Sequence, residues 1–223
     1  LDYPLIPQAD VHDQVQSILD AMATLDRLAV VSLDRSRTFL RGDSAGGLLS
    51  LLTMSVLQDP ICQRSFRIGH DYPIRGLALV HPMIRTRRWD ILNFIPNYLP
   101  GPPAEAADRM EKERGVQKIP DQTRRILPTS AEQSGACAFF QEPSLVAPLL
   151  PATWMVSSRN DVMFNSEARN FAEELRFQGV PHRFNEFPLT AKAPLNHIFM
   201  ITHPHLAESQ SMYDDLDQFL REL

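Results

Sequence analysis

A glycine-rich hexapeptide, Gly42-Asp43-Ser44-Ala45-Gly46-Gly47, most constrains what this 223-residue chain can fold into. The residues before it, from Ser36 to Arg41, are typical of a short strand that ends at Gly42. The residues after it, from Ala45 to Gln58, are rich in Leu and Met and predict a helix that is apolar nearly all round and therefore buried. The sequence thus predicts a strand that turns directly into a buried helix.

The spacing Gly-x-Ser-x-Gly in this hexapeptide suits a nucleophilic serine. Small residues two positions before and after Ser44 let the strand and the helix approach closely, and the sharp turn holds the hydroxyl out over the sheet. The amide of Ala45, at the amino terminus of the helix, then points to where a tetrahedral oxyanion would form. We therefore predict Ser44 as the nucleophile and Ala45 as an oxyanion donor; the alternative is a glycine-rich turn with an incidental serine. The predicted elbow comprises Gly42, Asp43, Gly46 and Gly47.

The rest of the chain alternates helix-like and strand-like segments. A first helix is predicted behind Asp10 as N-cap, because apolar residues recur three or four positions apart. Its buried face is expected to be Val11, Val15, Ile18, Met22 and Leu25. Apolar or alternating runs predict strands over 76–80, 153–156 and 183–187.

Two further helices follow in the second half of the chain. One is predicted over Asn165–Gln178, with Phe171 and Leu175 on one face and Gly179 just beyond its end. The last helix is expected to bury one apolar row, formed by Met212, Leu216, Phe219 and Leu223. Strands that alternate with helices predict an α/β fold, a three-layer α/β/α sandwich around a mostly parallel sheet, and we expect residues 1–223 to form one domain.

The serine needs a base that is oriented by a carboxylate, and in this architecture the order along the chain is serine, acid, histidine. Asp161 and His197 follow predicted strands, and loops at the carboxyl ends of parallel strands are where such sheets build sites. We therefore predict Asp161 as the acid and His197 as the base. Asp161 could instead cap a loop, and His81 is interpreted as a structural or substrate-lining residue. The rivals to His197 are His203 and His205, which with His197 offer a metal cluster as a less favoured alternative.

Composition excludes several classes of protein. The 22 basic and 27 acidic side chains give a net charge of −5, which argues against a nucleic-acid binder. No apolar run reaches the roughly 18 residues of a membrane span. Cys62 and Cys137 are expected to be unpaired thiols, and the alternative is one disulfide between them. No signal peptide is visible, and the default expectation for the location is the cytoplasm.

A segment from 84 to 151 is rich in proline and is interpreted as a cap inserted into the domain. A short helix is predicted within it, near Ala104–Arg114. Its apolar and aromatic residues could line a substrate pocket or simply dock the insertion on the core. They include Trp89, Phe94, Ile95, Tyr98, Leu99, Phe139 and Phe140.

Together these motifs resemble the hormone-sensitive-lipase-like branch of the α/β-hydrolases. Residues 42–47 match its G-D-S-A-G-G elbow, and residues 1–7 look like its D-Y-x-L-x-P segment. Residues 161–163 resemble its acid loop and residues 197–199 its histidine loop. The family carries an H-G-G-G segment upstream, which supplies most of the oxyanion hole and is absent from these 223 residues together with the early strands. The resemblance therefore implies a fragment of a longer hydrolase, or a truncated product with little activity.

These observations predict a serine hydrolase that cleaves carboxylic esters through an acyl-serine intermediate, with no metal or organic cofactor. The expected partner is a small-molecule ester, with no nucleic acid and no membrane span. If the early strands of the sheet are missing, as the resemblance implies, the strand before the elbow would have an unpaired apolar edge. A homo-oligomer that covers this edge is therefore one of the alternatives. Two alternatives remain: a hydrolase fold that has lost its chemistry and serves as a binding module, and an amide or peptide hydrolase.

Overall fold

The computed structural model describes residues 1–5, 9, 11–28, 34–69, 73–84 and 147–223. Nearly all of the cap predicted over 84–151, the N-cap Asp10 and Cys137 lie outside these residues. The strands are β1 (Thr38–Asp43), β2 (Ile74–Val80), β3 (Ala152–Ser158) and β4 (His182–Phe187). The helices are α1 (Val11–Arg27), α2 (Ala45–Gln58), α3 (Pro60–Gln63), α4 (Asn165–Phe177), α5 (Phe199–Thr202) and α6 (Ala207–Glu222).

The four strands form one parallel sheet in the order β1-β2-β3-β4. Asp43 at the end of β1 pairs with Val80 at the end of β2, and Val80 pairs with Val156 of β3. Ser158 at the end of β3 pairs with Phe187 at the end of β4. The carboxyl ends of all four strands therefore lie along one edge, so the loops that follow them meet there.

Helices cover both faces of this sheet. Leu77 and Leu79 of β2 belong to a core cluster that includes α1, α2 and α4, whereas Ala78 and Val80 belong to a second cluster with α5 and α6. Because successive side chains of a strand point to opposite faces, the two clusters lie on opposite sides of the sheet. The predictions of a buried α2 and of a β2 strand with two covered faces are confirmed.

The predicted boundary of the first strand is wrong by two residues at its start and by one at its end. Ser36 lies in a short 3₁₀ turn, Arg35–Arg37, because the carboxylate of Asp34 accepts a hydrogen bond from its backbone N–H at 3.0 Å. The strand β1 starts only at Thr38, and it continues through Gly42 to Asp43.

The buried face of α1 also differs from the prediction. Leu25 is 49% exposed and Ile18 is half-buried, whereas Leu19 is fully buried. At 3.6 residues per turn, the row from Val11 drifts toward Leu19 and Ala23, which leaves Leu25 at the edge of the buried stripe. In α4 the predicted face is confirmed, since Phe171 and Leu175 are buried.

Gly179 has a φ of 71° directly after the last turn of α4, as its predicted place beyond the helix end requires. In α6, Met212, Leu216 and Phe219 are buried as predicted, and Leu223 is partly buried after the helix ends. None of the helices in the described ranges is long and apolar enough to cross a membrane.

Candidate active site

Ser44 occupies a strained turn between β1 and α2. Its φ of 54° lies in the left-handed region, which non-glycine residues seldom adopt. Its backbone N–H donates to Val80 O at 3.0 Å and its carbonyl accepts from Met83 N–H at 3.1 Å, so the two groups are fixed to the end of β2 and to the loop after it. Ser44 stands at the N-cap of α2, yet its hydroxyl makes no capping bond to the helix. The hydroxyl is therefore left for another partner.

Two of the elbow glycines stand where the backbone is too closely packed for a side chain. A Cβ atom on Gly42 would lie 2.1 Å from Gly46 O, and one on Gly47 would lie 2.8 Å from the Cβ of Pro82. A Cβ on Gly46 would meet nothing within 4 Å. The strand therefore approaches the backbone of Gly46 closely, but the second position at which a side chain would not fit is Gly47, which faces the loop after β2.

The structure brings Ser44, His197 and Asp161 into one hydrogen-bonded chain. The serine Oγ lies 2.8 Å from His197 Nε2, and His197 Nδ1 lies 2.8 Å from Asp161 Oδ2. Asp161 is buried and the side chain of His197 is 9% exposed, so both interactions are largely shielded from water. Since the carboxylate accepts from Nδ1–H, Nε2 of the neutral ring is free to accept the serine proton.

Asp161 also caps its own loop, which was the alternative interpretation of this residue. Its Oδ1 accepts from the backbone N–H groups of Met163 at 3.1 Å and Phe164 at 3.3 Å, while its Oδ2 faces the histidine. Burial alone would raise the pKa of Asp161, but the hydrogen bonds from His197 and His81 outweigh it and hold the pKa well below its usual range. The carboxylate is therefore ionised.

His81 is the site residue that sequence reasoning did not pair with the acid. Its Nδ1 lies 2.8 Å from the same Asp161 Oδ2 that His197 contacts, and its side chain is fully buried. Burial lowers the pKa of the His81 imidazole, and the contact with Asp161 only partly offsets this. A signal was present in the sequence, because His81 directly follows the apolar run of β2 and thus stands at the same sheet edge as Ser44.

Hydrogen bonds between loops fix the acid next to the base. The side chain of Asn160 donates to Thr190 O at 2.7 Å and accepts from Thr190 N–H at 3.0 Å, which ties the loop after β3 to the loop after β4. Glu186 at the end of β4 accepts from Arg159 at 2.8 Å and Arg169 at 2.6 Å. The loop with Asp161 is thus held on both sides.

The rival histidines lie apart from this chain. His203 Nδ1 pairs with the Thr202 hydroxyl at 2.9 Å, and its ring centroid is 6.1 Å from that of His205. Within the described ranges, the group whose atoms approach closely enough for a metal ion is His81, Asp161 and His197, whose ligand atoms lie within 4.8 Å of one another. Both imidazole Nδ1 atoms in this group are already hydrogen-bonded to the carboxylate.

The model of a family with the α/β-hydrolase fold matches residues 1–193. Esterase B from Lactobacillus rhamnosis superimposes with a TM-score of 0.68 at 20% identity, over 100% of this chain and 64% of that chain. An esterase from Pyrobaculum calidifontis gives a TM-score of 0.64 at 18% identity, over 99% and 64%. A further structure of esterase B, described with a tributyrin phosphonate inhibitor, gives 0.67 at 21% identity, over 100% and 64%.

At these identities the likeness to solved structures shows the fold alone, and this chain spans less than two-thirds of the length of those esterases. No curated protein matches the sequence. The family match, in contrast, covers most of the chain and includes the elbow and Asp161. The chain therefore belongs to the α/β-hydrolase family, in the hormone-sensitive-lipase-like branch that its motifs resemble.

Proposed function

We propose that this protein is a serine hydrolase that cleaves carboxylic esters, with Ser44 as nucleophile, His197 as general base and acid, and Asp161 as the carboxylate that orients the histidine. The observation that carries the proposal is the continuous chain of hydrogen bonds from the Ser44 hydroxyl through His197 to Asp161, with both distances at 2.8 Å. Asp161 lies 36 positions and Ser44 lies 153 positions from His197 in the sequence, so local structure does not account for their meeting.

In the first half of the reaction, Ser44 Oγ attacks the ester carbonyl carbon as its proton passes to His197 Nε2. The carbonyl oxygen takes up negative charge in the tetrahedral intermediate. When the carbon–oxygen bond breaks, His197 returns the proton to the departing alcohol and an acyl-serine remains. Water then attacks the acyl carbon with the same proton transfers, which releases the carboxylic acid and restores Ser44.

The amide of Ala45 supports the developing oxyanion. Ala45 begins α2, and the first amides of a helix have no acceptor within the helix. Gly47 and Leu48 already donate to Ser44 O, so we infer that the amide directly after the nucleophile is the donor to the attacked carbonyl oxygen. One oxyanion donor is typically worth about 100- to 1,000-fold in turnover.

The choice of esters over amides rests on family resemblance and on the esterases that share the fold. The phosphonate described for esterase B suggests the probe class, because a phosphonate adds covalently to a reactive serine and mimics the tetrahedral intermediate. A panel of p-nitrophenyl esters and matched anilides separates ester from amide hydrolysis. Faster turnover of the anilides would favour the amide alternative.

Replacing Ser44 by alanine tests the proposal directly. We expect Ser44→Ala to lose labelling by a fluorophosphonate probe and to lower ester turnover by a factor on the order of 10⁴ or more. Ser211→Ala, on the exposed surface of α6, is the matched control and should behave as the parent. Labelling of Ser44→Ala at the parent rate would refute Ser44 as nucleophile, and no labelling of the folded parent would favour a binding module.

A further inference from the structure

Asp161 accepts hydrogen bonds from two imidazole rings, whereas the proposed chemistry uses only one. His197 Nδ1 and His81 Nδ1 both lie 2.8 Å from Asp161 Oδ2. The two rings face each other edge-on, with centroids 5.6 Å apart and an interplanar angle of 82°. The second ring therefore belongs to the same hydrogen-bonded cluster as the proposed triad.

The protonation state of His81 follows from its surroundings. An ionised carboxylate only accepts hydrogen bonds, so His81 Nδ1 must carry a proton. His81 Nε2 is buried and has no hydrogen-bond partner among the described residues. A proton there would create an unpaired buried donor on a charged ring, which is more costly than a bare lone pair. His81 is therefore the neutral tautomer with its proton on Nδ1.

The backbone of His81 is held in a strained conformation. Its φ of 44° lies in the left-handed region, as do those of Ser44 and Ile198, and these three are the non-glycine residues with positive φ in the described ranges. Its N–H donates to Val156 O at 2.8 Å, which extends the pairing of β2 and β3 by one residue. Its ring also packs edge-on against Phe199, with centroids 5.6 Å apart. Both the backbone and the ring are thus fixed by the fold.

We propose that His81 is a positioning residue of the hydrolytic site. Its Nδ1–H donates a hydrogen bond to Asp161 Oδ2, the same oxygen that accepts from His197. This second hydrogen bond holds the carboxylate in place, and the negative charge of Asp161 is shared between the two imidazole donors. This inference rests on the proposed function for its kinetic consequence, although the shared hydrogen bond itself does not. With His81 in place, all four hydrogen bonds to Asp161 act together, two on each oxygen. Rotation of the carboxylate would break at least two of them.

The first test needs no activity. Proton NMR of the parent should show two far-downfield imidazole N–H resonances, one lost in His81→Phe and the other in His197→Phe, while the exposed His205→Phe control keeps both. Nitrogen shifts should report a neutral His81 with its proton on Nδ1. A single resonance, or a His81 ring protonated on Nε2, would overturn the proposal even if His81→Phe does not fold.

The second test measures the rate of fluorophosphonate labelling. We expect His81→Phe to slow labelling about 10-fold, because the acid that orients His197 is misplaced. His81→Asn should restore the rate, because its Nδ2 stands where the Nδ1 donor was and asparagine tolerates positive φ. A folded His81→Phe that is labelled at the parent's rate would overturn the proposal. If the parent itself is not labelled, the proposed function fails, and the resonances alone decide the role of His81.

Discussion

Replacing Gly42 by alanine tests the closeness of strand and helix on which the position of Ser44 depends. The new Cβ would lie 2.1 Å from Gly46 O, 2.2 Å from Gly46 C and 2.6 Å from Gly47 N. Unstrained contacts of carbon lie at about 3.5 Å or more, so the junction must open by roughly 1 Å. All three opposing atoms belong to backbone, which cannot rotate away as the end of a side chain can.

The expected loss of stability follows from this overlap. Overpacking typically costs about 1–3 kcal/mol, and a clash with rigid backbone belongs at the upper end, about 3 kcal/mol. For a domain of this length that corresponds to a midpoint of thermal unfolding lower by about 6–12 °C. Gly46→Ala is the matched control, because its Cβ meets nothing within 4 Å and alanine favours the helix by up to about 1 kcal/mol over glycine.

The assay is urea unfolding of the two variants beside the parent, with fluorophosphonate labelling as a second readout. We expect Gly42→Ala to unfold at lower urea and to label slowly, since opening the junction moves the Ser44 hydroxyl away from His197 Nε2. Gly46→Ala should be as stable as the parent or more so. Equal unfolding midpoints for the two variants would refute the argument that Gly42 is required by the strand–helix contact.

Two further predictions concern carboxylates that accept hydrogen bonds from buried rings. The folded pKa of Asp161 lies below its unfolded value, so its charge stabilises the fold above about pH 4, and this contribution is lost as the pH falls through the folded pKa. The difference in unfolding free energy between the parent and Asp161→Asn should therefore shrink on acidification in urea titrations; a difference that does not vary with pH would contradict this. Asp215 accepts from the indole N–H of fully buried Trp154 at 2.5 Å, so Asp215→Ala should lower the free energy of unfolding by about 2 kcal/mol, and Asp215→Asn, which keeps an acceptor oxygen, by less. Equal losses for the two variants, measured by urea unfolding, would argue against the unpaired indole as the cause.

The alternation of apolar runs was enough to predict the α/β class, the buried α2 and the order of the strands along the chain. It was also enough to place Ser44, Asp161 and His197 after strands of one parallel sheet, because that edge is common to all such strands. Periodicity is less informative at element ends. There, single hydrogen bonds such as that from Asp34 decide whether Ser36 turns or extends.

The pairing of His81 with Asp161 could not be predicted in the same way. It depends on β2 lying between β1 and β3, which is a fact about neighbours in space and not about the order of segments. The local sequence places His81 at the shared edge of the sheet, but His81 and Asp161 are 80 positions apart and the sequence does not indicate that they are partners. A triad also needs one acid and one base, so its pattern does not indicate a second histidine on the same carboxylate.

The four parallel strands have a consequence for how the molecule acquires its chemistry. Ser44, His81, Asp161 and His197 each follow a different strand, and the pair that would transfer the proton is separated by 153 positions. Helices form from local contacts, but these four side chains meet only after the most distant segments have docked in register. Reactivity should therefore emerge last during folding, and partly folded chains should be protected from premature modification at Ser44.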